Sequence, residues 1–425
     1  MYSDSVNSKT EHHMNLELFL ARRLYGTQKG KRHISRPAVS IAKWGVAIGT
    51  IVMFVSICII IGFKNQVRDK VVGFGGHMQI LNRESGENGA NPVTVDSILR
   101  KELAGHTAIS HIQQYAQVAG MISADKEYEG IVLKGVDKEY DLSFFTSNIT
   151  NGRVPIFTAD SASNEIMISK STASKINAKV GDKVNIYLFN SGIRARKMTI
   201  AAIYETHLTE FDNIMAVTDI YTTRKLNNWN DEQATGLEIA VHNYENKERC
   251  RDEIYGSVLR AEKRNGERLC MLTIEEMNPA IFNWLGILDQ TVWIILILVI
   301  CIAGFTMISG LFILILEKSN FIGVMKAIGA NNASIRKTFI YYASFIVLRG
   351  LLLGNTIAIT LCILQQQTGI IAIDPKMYYM DSVPIEFSWL LIPMNIAMFI
   401  ISTAILVLPS MLISKIEPTK AIKFE

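Results

Sequence analysis

The stretch Glu317-Lys-Ser-Asn-Phe-Ile-Gly-Val-Met-Lys-Ala-Ile-Gly-Ala330-Asn-Asn-Ala-Ser-Ile-Arg-Lys337 lies between two runs that are apolar enough to cross a bilayer. Four of its apolar side chains recur at helical spacing: Phe321, Val324, Met325 and Ile328. They predict a helix of about 10 residues, which Ser319 or Asn320 can cap and which the left-handed residue Gly329 can end. Such a short helix is unstable alone, so its apolar face needs a partner surface.

Four basic residues place this loop in the cytoplasm: Lys318, Lys326, Arg336 and Lys337. Two interpretations of the apolar face are open. The helix can rest on lipid headgroups, as many amphipathic segments do. Alternatively, it is held out to a cytoplasmic partner protein, which would receive the apolar face in a groove.

Composition indicates a protein that is part membrane and part soluble domain. The chain has 425 residues, of which 49% are hydrophobic, and with a mean hydropathy of +0.21 it is too apolar for a soluble enzyme. The net charge of +4 is small, and basic residues do not interleave with aromatic ones. Nucleic-acid binding is therefore not indicated.

Four segments are predicted to span the membrane: residues 44–63, 292–316, 339–364 and 387–413. Pro393 and Pro409 are expected to kink the fourth span. Residues 1–14 are predicted to be disordered, and residues 15–43 form a basic amphipathic helix and linker in the cytoplasmic membrane interface. A signal peptide is the alternative, but we expect the first apolar run to stay as an anchor, because it is too long and no small-residue cleavage site follows.

Residues 64–291 are predicted to form one extracytoplasmic α+β domain with a mixed sheet and a stalk. We expect strands at 77–81 and 127–136, and a hairpin tip at 190–192. Thr94 is expected to cap a helix that ends at Gly105, and Thr273 to start a helix that continues into the second span. Residues 317–338 are the cytoplasmic loop, 365–386 an outer loop and 414–425 a cytoplasmic tail.

Charges that flank the spans predict the orientation. Within about 20 residues of the span ends, twelve basic residues lie on one side of the membrane and five on the other: Lys29, Lys31, Arg32, Arg36, Lys43, Lys318, Lys326, Arg336, Lys337, Lys415, Lys420 and Lys423, against Lys64, Arg68, Lys70, Arg83 and Lys376. Both termini and the loop 317–338 are therefore predicted to be cytoplasmic, and the large domain to lie outside.

Motifs for catalysis or cofactor binding are not found in the sequence. There is no phosphate-binding G-x-x-x-x-G-K-[S/T], so any ATP hydrolysis must come from another chain. The eight histidines and five cysteines show no metal-ligand spacing, and no nucleophile motif occurs. Cys250 and Cys270 could form a disulfide if their domain is exported.

Two features inside the predicted spans have a structural and a functional interpretation. Gly45/Gly49 and Gly350/Gly354 have the spacing that lets membrane helices approach closely, although such pairs also occur by chance. Arg349 lies about 15 Å into the third span, where a charge needs water or a partner. It can extend to the headgroups, or it can make an interhelical contact or line a polar cavity.

The loop resembles the pattern E-[RK]-x-x-x-I-G-[IV]-[LM]-[RK]-A-[IL]-G-A of MacB/FtsX-type permeases of ABC transporters. That resemblance implies a type VII ABC transporter permease: four transmembrane helices, an N-terminal interfacial helix, and the large extracytoplasmic domain between the first two spans. In that family the loop is the coupling helix, which docks on a dimeric cytoplasmic ATPase. The implied contact residues are Glu317, Lys318, Phe321, Ile322, Gly323, Met325, Lys326, Ala327, Ile328, Gly329 and Ala330.

Further segments are similar to the lipoprotein-releasing (LolC/LolE) branch of the family: residues 128–137, Ile203-Tyr-Glu-Thr206, Glu210-Phe-Asp212, Leu288-Asp289 and Asp374-Pro-x-x-Tyr-Tyr-x-x-x-Val-Pro384. The resemblance implies release of lipoproteins from the inner membrane, a second permease copy or paralogue, and ATP and Mg in the partner ATPase. Ile59, Phe63, Leu285 and Leu288 would line the acyl chains. A periplasmic chaperone is a further partner, although the tip Asn190–Arg196 is shorter than the recruiting loop.

Two other functions fit the same architecture. An FtsX-like permease would use the same movement to control a cell-wall hydrolase and would move no substrate. A MacB-like exporter would move peptides or drugs and would need an adaptor and an outer-membrane duct.

Overall fold

The computed structural model describes residues 16–26, 35–85, 91–124, 127–157, 159–188 and 194–411. The chain divides into a helical unit (Met1–Phe63, Gly286–Ile371 and Val383–Glu425) and a sheet unit (Lys64–Leu285 and Ala372–Ser382). Three predictions concern residues outside the described ones: the disorder of residues 1–14, the hairpin tip at 190–192 and the tail 414–425.

The described residues form helices of very different lengths, numbered here in chain order. They are α1 Leu16–Gly26, α2 Ser35–Gly75, α3 Ser97–Ala104, α4 Ser143–Ser147, α5 Lys170–Lys175, α6 Thr209–Asp212, α7 Ile220–Asn227, α8 Lys247–Asn265, α9 Ile274–Met277, α10 Pro279–Glu317, α11 Ser319–Ala327, α12 Asn332–Thr368, α13 Pro375–Tyr378, α14 Leu391–Ile405 and α15 Val407–Ser410.

The strands belong to the sheet unit. They are β1 Met78–Asn82, β2 Val93–Thr94, β3 Ile109–Ala124, β4 Glu127–Val136, β5 Ile149–Gly152, β6 Glu165–Ser169, β7 Lys183–Leu188, β8 Arg194–Tyr204, β9 Met215–Asp219, β10 Gln233–Ala234, β11 Gly236–Val241 and β12 Leu269–Thr273. Ten strands form one sheet in the order β12-β1-β11-β3-β4-β9-β6-β8-β5, with β7 paired to β3 and β8. The pairs β4/β9 and β6/β8 are parallel and the others antiparallel, so the predicted mixed sheet is confirmed.

Of the two helix caps predicted in the sheet unit, Thr94 is wrong and Thr273 is confirmed. Asp96, not Thr94, caps α3: its side chain accepts a hydrogen bond from the Leu99 N–H at 2.7 Å. Thr94 lies in strand β2 instead, where its N–H donates to the Glu267 carboxylate. A carboxylate is a strong N-cap acceptor, which is why Asp96 can take this position. At its other end, α3 stops before Gly105, as predicted.

Thr273 caps a helix as predicted, but that helix is short. Thr273 and Glu276 form a reciprocal capping box at the start of α9. Asn278 then leaves the helical conformation, and the long helix α10 begins at Pro279, a residue suited to a first helical position. The expectation of one continuous helix from Thr273 is therefore wrong, because a break separates α9 from α10.

Three described helices are long and apolar enough to cross a membrane: Val39–Gly75, Pro279–Glu317 and Asn332–Thr368. The predicted fourth span contains the shorter helix α14, of 15 residues. Pro409 cannot donate a hydrogen bond to residue 405, and α14 ends at Ile405. Pro393 lies in the first turn of α14, where a missing N–H costs no helical hydrogen bond.

Both glycine pairs are packing contacts in the helical unit. A Cβ atom at Gly350 would lie 2.9 Å from the Lys43 carbonyl oxygen, and one at Gly354 would lie 2.7 Å from the Ala47 carbonyl oxygen. Helices α2 and α12 therefore touch backbone to backbone. At Gly45 and Gly49 the neighbours are side chains of α10 instead: a Cβ atom would lie 2.6 Å from Thr306 and 3.2 Å from Val299.

A fully buried ion pair lies in the middle of the sheet unit. The Lys134 ammonium on β4 is 2.5 Å from a carboxylate oxygen of Glu238 on β11, and each side chain is 1% exposed. Lys134 also donates to the Phe74 carbonyl oxygen in the last turn of α2, where the helix dipole favours a cation. The Tyr140 hydroxyl and the Gln113 amide donate to the other Glu238 oxygen, at 2.9 and 2.8 Å.

A second buried hydrogen bond holds the same helix end. The Gln79 amide on β1 donates to the Gly75 carbonyl oxygen at 2.9 Å, and the Tyr115 hydroxyl on β3 donates to the Gln79 side-chain oxygen at 2.6 Å. Lys134 lies 4.8 Å from the centre of the Tyr115 ring, within range of a cation–π contact. The carbonyl end of α2 is therefore bonded to the sheet through buried polar side chains.

His77, two residues after the end of α2, is expected to make the stability of the sheet unit depend on pH. Its Nδ1 accepts a hydrogen bond from the Val241 N–H at 3.3 Å, so this nitrogen is unprotonated. Burial, and then the nearby Arg68, lower the pKa of His77 below its ordinary value. The unfolded chain therefore binds this proton more readily than the folded chain, and acidification from neutral pH through about 6.5 should destabilise the sheet unit.

A comparison of the wild type with His77→Gln isolates the contribution of His77 to this pH dependence. We expect the melting temperature of the wild type to fall more steeply between pH 7.5 and 5.5 than that of His77→Gln, which keeps an acceptor but cannot become charged. Circular dichroism of the purified full chain in detergent measures both curves. Parallel curves for the two proteins would contradict the prediction.

Cys250 and Cys270 are not joined by a disulfide in this structure. Cys250 is buried on α8, and the Cys270 thiol on β12 donates a weak hydrogen bond to the Leu81 carbonyl oxygen at 3.6 Å. Burial raises the pKa of both thiols. They are therefore poor nucleophiles at neutral pH.

Candidate functional site

The loop between α10 and α12 folds into the predicted short helix. Helix α11 covers nine residues, Ser319–Ala327, and Gly329 adopts a left-handed conformation with φ of +95°. The N–H of Ala330 donates to the Met325 carbonyl oxygen at 2.9 Å, which satisfies one of the orphan carbonyls at the helix end. A residue with a side chain would be strained at position 329, so glycine is required for this turn.

One side of α11 is anchored in the helical unit. Ile322 is fully buried in the main apolar core of that unit, and Gly323 beside it is also buried. Met325 and Ala330 are half-buried against the same core. Burying these side chains fixes the rotation of a helix that is too short to be stable by itself.

The opposite side of α11 presents apolar side chains to the surface. Val324 is 45% exposed and Ile328 is 79% exposed, and Ala327 between them is also exposed. The predicted single face is therefore wrong in detail, because Met325 points inward while Val324 and Ile328 point outward. We call Val324, Ala327 and Ile328 the outer face of α11.

The start of α11 has no side-chain cap. Lys318 occupies the N-cap position, so the prediction of Ser319 or Asn320 as the cap is wrong. The Lys318 ammonium lies 3.7 Å from one Glu317 oxygen, while the other Glu317 oxygen is buried without a hydrogen-bond partner.

Helix α1 contributes a contact that the sequence did not indicate. The Ser334 hydroxyl, in the first turn of α12, donates to the Glu17 carboxylate at 2.9 Å. Hydrogen bonds to its own backbone and to Ser334 lower the pKa of Glu17. Two large apolar side chains of α1, Leu16 and Phe19, are 56% and 40% exposed, whereas Ala21 is buried. Small residues such as Ala21 carry no strong periodic signal.

Of the remaining predicted site residues, two are buried and three are at least partly accessible. Phe63 is 7% and Leu285 is 3% exposed, while Ile59 and Leu288 are half-buried. Arg349 is exposed on α12. The lining of acyl chains and the role of Arg349 stay predictions.

An amide pair joins two helices of the same unit. The Asn355 amide of α12 donates to the Asn395 side-chain oxygen of α14 at 2.8 Å.

Among the residues that the structure describes, no three His, Cys, Asp or Glu side chains are grouped so that they could hold a metal ion.

Comparison with known proteins identifies the family. Residues 41–254 match the model of the MacB-like periplasmic core domain, and residues 293–418 match that of the FtsX-like permease C-terminal region. The chain belongs to the MacB/FtsX-type ABC transporter permeases. The permease is a membrane protein with a MacB-like periplasmic domain, and the match to the FtsX-like region includes the whole of α11.

Several curated relatives are named as transmembrane proteins of the lipoprotein-releasing system. The permease is 22% identical to the lipoprotein-releasing system transmembrane protein LolE of Haemophilus influenzae, over 96% of this chain and 99% of that protein. It is 21% identical to LolC of Neisseria meningitidis serogroup B, over 91% of this chain and 94% of that protein. The solved periplasmic region of MacB from Actinobacillus actinomycetemcomitans aligns with 50% of this chain and 96% of its own, at 14% identity and a TM-score of 0.35.

Proposed function

We propose that this chain is the permease subunit of an ATP-driven complex that extracts lipoproteins from the outer leaflet of the bacterial inner membrane for sorting to the outer membrane. The similarity to LolC and LolE over more than nine-tenths of the chain supports this substrate class. A separate ATPase supplies the work, and ATP and Mg bind to that ATPase rather than to this chain.

In the proposed topology the chain crosses the membrane four times, with α14 and the residues around it as the fourth crossing. Helix α1 lies in the cytoplasmic interface, where its exposed Leu16 and Phe19 would contact lipid and Arg22 and Arg23 would contact headgroups. Both termini and α11 are cytoplasmic, and the sheet unit is periplasmic. The excess of basic residues on the α11 side supports this orientation.

The observation that carries the proposal is the outer face of α11. A helix anchored by Ile322 presents Val324, Ala327 and Ile328 outward, and apolar anchors of this kind fill hydrophobic grooves on partner proteins. ATP-driven closure of an ATPase dimer would push on this face. Because α11 is separated from α10 and α12 by only a few residues, both long helices would move with it.

The complex also needs partners on the membrane side. A second copy of the permease, or a paralogue, would complete the transport path with two ATPases. Ile59, Phe63, Leu285 and Leu288 would line the acyl chains after a rearrangement that exposes the buried pair. A periplasmic chaperone would be the acceptor of the released lipoprotein.

Reconstitution tests the proposal. The permease is purified from its native membrane with the proteins that accompany it, incorporated into liposomes with a tagged triacylated lipoprotein, and supplied with ATP and Mg. We expect ATP-dependent transfer of the lipoprotein to the soluble fraction. Hydrolysis of ATP without any release, together with co-purification of a cell-wall hydrolase, would favour the FtsX-like alternative and contradict lipoprotein release.

A further inference from the structure

The segment Ala372–Ser382, between α12 and α14, forms a strap in the sheet unit. Ala372 and Ser382 form an antiparallel bridge, and the Ile373 N–H donates to the Asp381 carbonyl oxygen at 3.1 Å. Tyr379 at the far end of the strap has a left-handed conformation with φ of +61°. Such a conformation is costly for tyrosine, so its surroundings must hold it.

Tyr379 is held by three separate parts of the sheet unit. Its carbonyl oxygen accepts a hydrogen bond from the Lys70 ammonium of α2 at 2.6 Å. Its hydroxyl donates to the Glu210 carboxylate in α6 at 2.8 Å. Its ring packs edge-on against Trp284 of α10, with 5.9 Å between the ring centres.

Lys70 bonds the strap and a second loop of the sheet unit at the same time. Its ammonium also donates to the Thr206 carbonyl oxygen at 2.7 Å, so one cation joins α2, the strap and the loop before α6. Burial lowers the pKa of Lys70, while Asp381 and Asp212 oppose this shift. Hydrogen bonds from charged donors are stronger than neutral ones, which makes this a firm contact.

The loop that receives Lys70 is rigid. The buried Asp212 carboxylate accepts hydrogen bonds from the Thr206 N–H at 3.0 Å, the Thr206 hydroxyl at 2.8 Å and the His207 N–H at 3.0 Å. Burial outweighs these bonds and raises the pKa of Asp212. The His207 ring lies 3.4 Å from the Asp381 carboxylate, which adds a second contact between this loop and the strap.

The residues that flank the strap, Ile371 and Val383, are held by Gln365 within the helical unit. The buried Gln365 side chain of α12 donates to the Ile371 and Val383 carbonyl oxygens, at 3.1 and 3.2 Å, and accepts from the Ile371 N–H at 2.9 Å. The backbone at Ile371 and Val383 is therefore held by hydrogen bonds to α12 and would follow a displacement of that helix.

We propose that the strap is a mechanical latch in which Lys70 and Tyr379 lock α2 and the strap to the loop that ends at Asp212. Movement of either α2 or α12 would then shift the sheet as one body. This inference rests on the proposed function, since it assigns the route by which the cytoplasmic stroke reaches the periplasmic domain. It also gives a role to the two sequence segments Ile203–Asp212 and Asp374–Pro384.

Substitution in the full complex tests the latch. Lys70→Met keeps the length of the side chain but removes its donors, and we expect lipoprotein release per ATP hydrolysed to fall by about tenfold or more while assembly and ATP hydrolysis persist. Tyr379→Phe removes only the bond to Glu210 and should give a smaller loss. Lys70→Arg, which can still donate to both carbonyl oxygens, should restore most of the release.

Lys376→Met is the matched control, because Lys376 is an exposed lysine of the same strap. It should release lipoprotein at the wild-type ratio. An unchanged ratio in Lys70→Met would overturn the latch, as would an equal loss in Lys376→Met. If Lys70→Met does not assemble, Tyr379→Phe decides: an unchanged ratio in that variant also overturns the latch.

Hydrogen exchange tests the latch independently of the proposed function. If the wild type itself releases no lipoprotein, the proposed function fails, and the latch is judged by the effect of ATP on exchange in the sheet unit. The latch predicts that ATP changes exchange of the strap and of β8 in the wild type and only of the helical unit in Lys70→Met. Identical responses in the two proteins would overturn it.

Discussion

Replacing Lys134 with alanine is expected to lower the free energy of opening of the sheet unit by about 3–5 kcal/mol. The change leaves the Glu238 carboxylate, which is 1% exposed, without its cation, and leaves the Phe74 carbonyl oxygen without its donor. Hydrogen exchange of the β4 amides in the full chain measures the opening free energy. We expect faster exchange at Leu133 and Gly135.

An exposed ion pair that involves the same strand provides the matched control. Lys175 on α5 pairs with Glu129 of β4 at 3.4 Å, with side chains 40% and 32% exposed. Lys175→Ala should cost less than about 1 kcal/mol, because exposed ion pairs contribute little. The double variant Lys134→Met/Glu238→Gln, which removes both charges, should recover most of the stability. A similar small cost for Lys134→Ala and Lys175→Ala would show that the buried pair does not hold the sheet.

Charging the outer face of α11 is expected to weaken docking of the proposed ATPase. In Val324→Asp/Ile328→Asp two exposed apolar side chains become carboxylates that a hydrophobic groove cannot receive without desolvation. Loss of two apolar anchors should weaken binding by about 30-fold or more. Affinity purification of the complex and the steady-state ATP hydrolysis of the purified material measure this effect.

Ala333→Asp serves as the control for this variant. Ala333 is exposed in the first turn of α12, where a negative charge is favourable, so membrane insertion and folding should be unaffected. The Ala333→Asp protein should carry the ATPase at the wild-type level. Normal ATPase recovery with the doubly charged α11 would mean that another surface makes the contact.

Local signals predicted much of the fold. Alternation predicted β4 with its observed ends, and Gly329 and Thr273 were assigned their turn and cap from residue type alone. These features depend on a few neighbouring residues. Proline chemistry likewise predicted an interruption near Pro409.

Other features depend on residues that are distant in the sequence. Which apolar residues of α11 face inward is decided by packing against the helical unit, and helical spacing alone assigned Met325 and Ile328 to one face. Lys134 meets Glu238, which lies 104 residues away, and Lys70 meets Tyr379, which lies 309 residues away. A lysine in a strand or a helix normally indicates a solvated face, so the sequence gives no sign of either contact.

Crosslinking from position 328 tests the central claim most directly. Ile328→Cys is introduced into a variant without the native cysteines, in intact cells and in inside-out vesicles. We predict that a bifunctional thiol–amine reagent joins this residue to the ATPase in the vesicles, and that a membrane-impermeant maleimide does not label it in intact cells. Labelling from outside the cell, or vesicles in which the ATPase is present but never crosslinked, would contradict a cytoplasmic helix that receives the ATPase stroke.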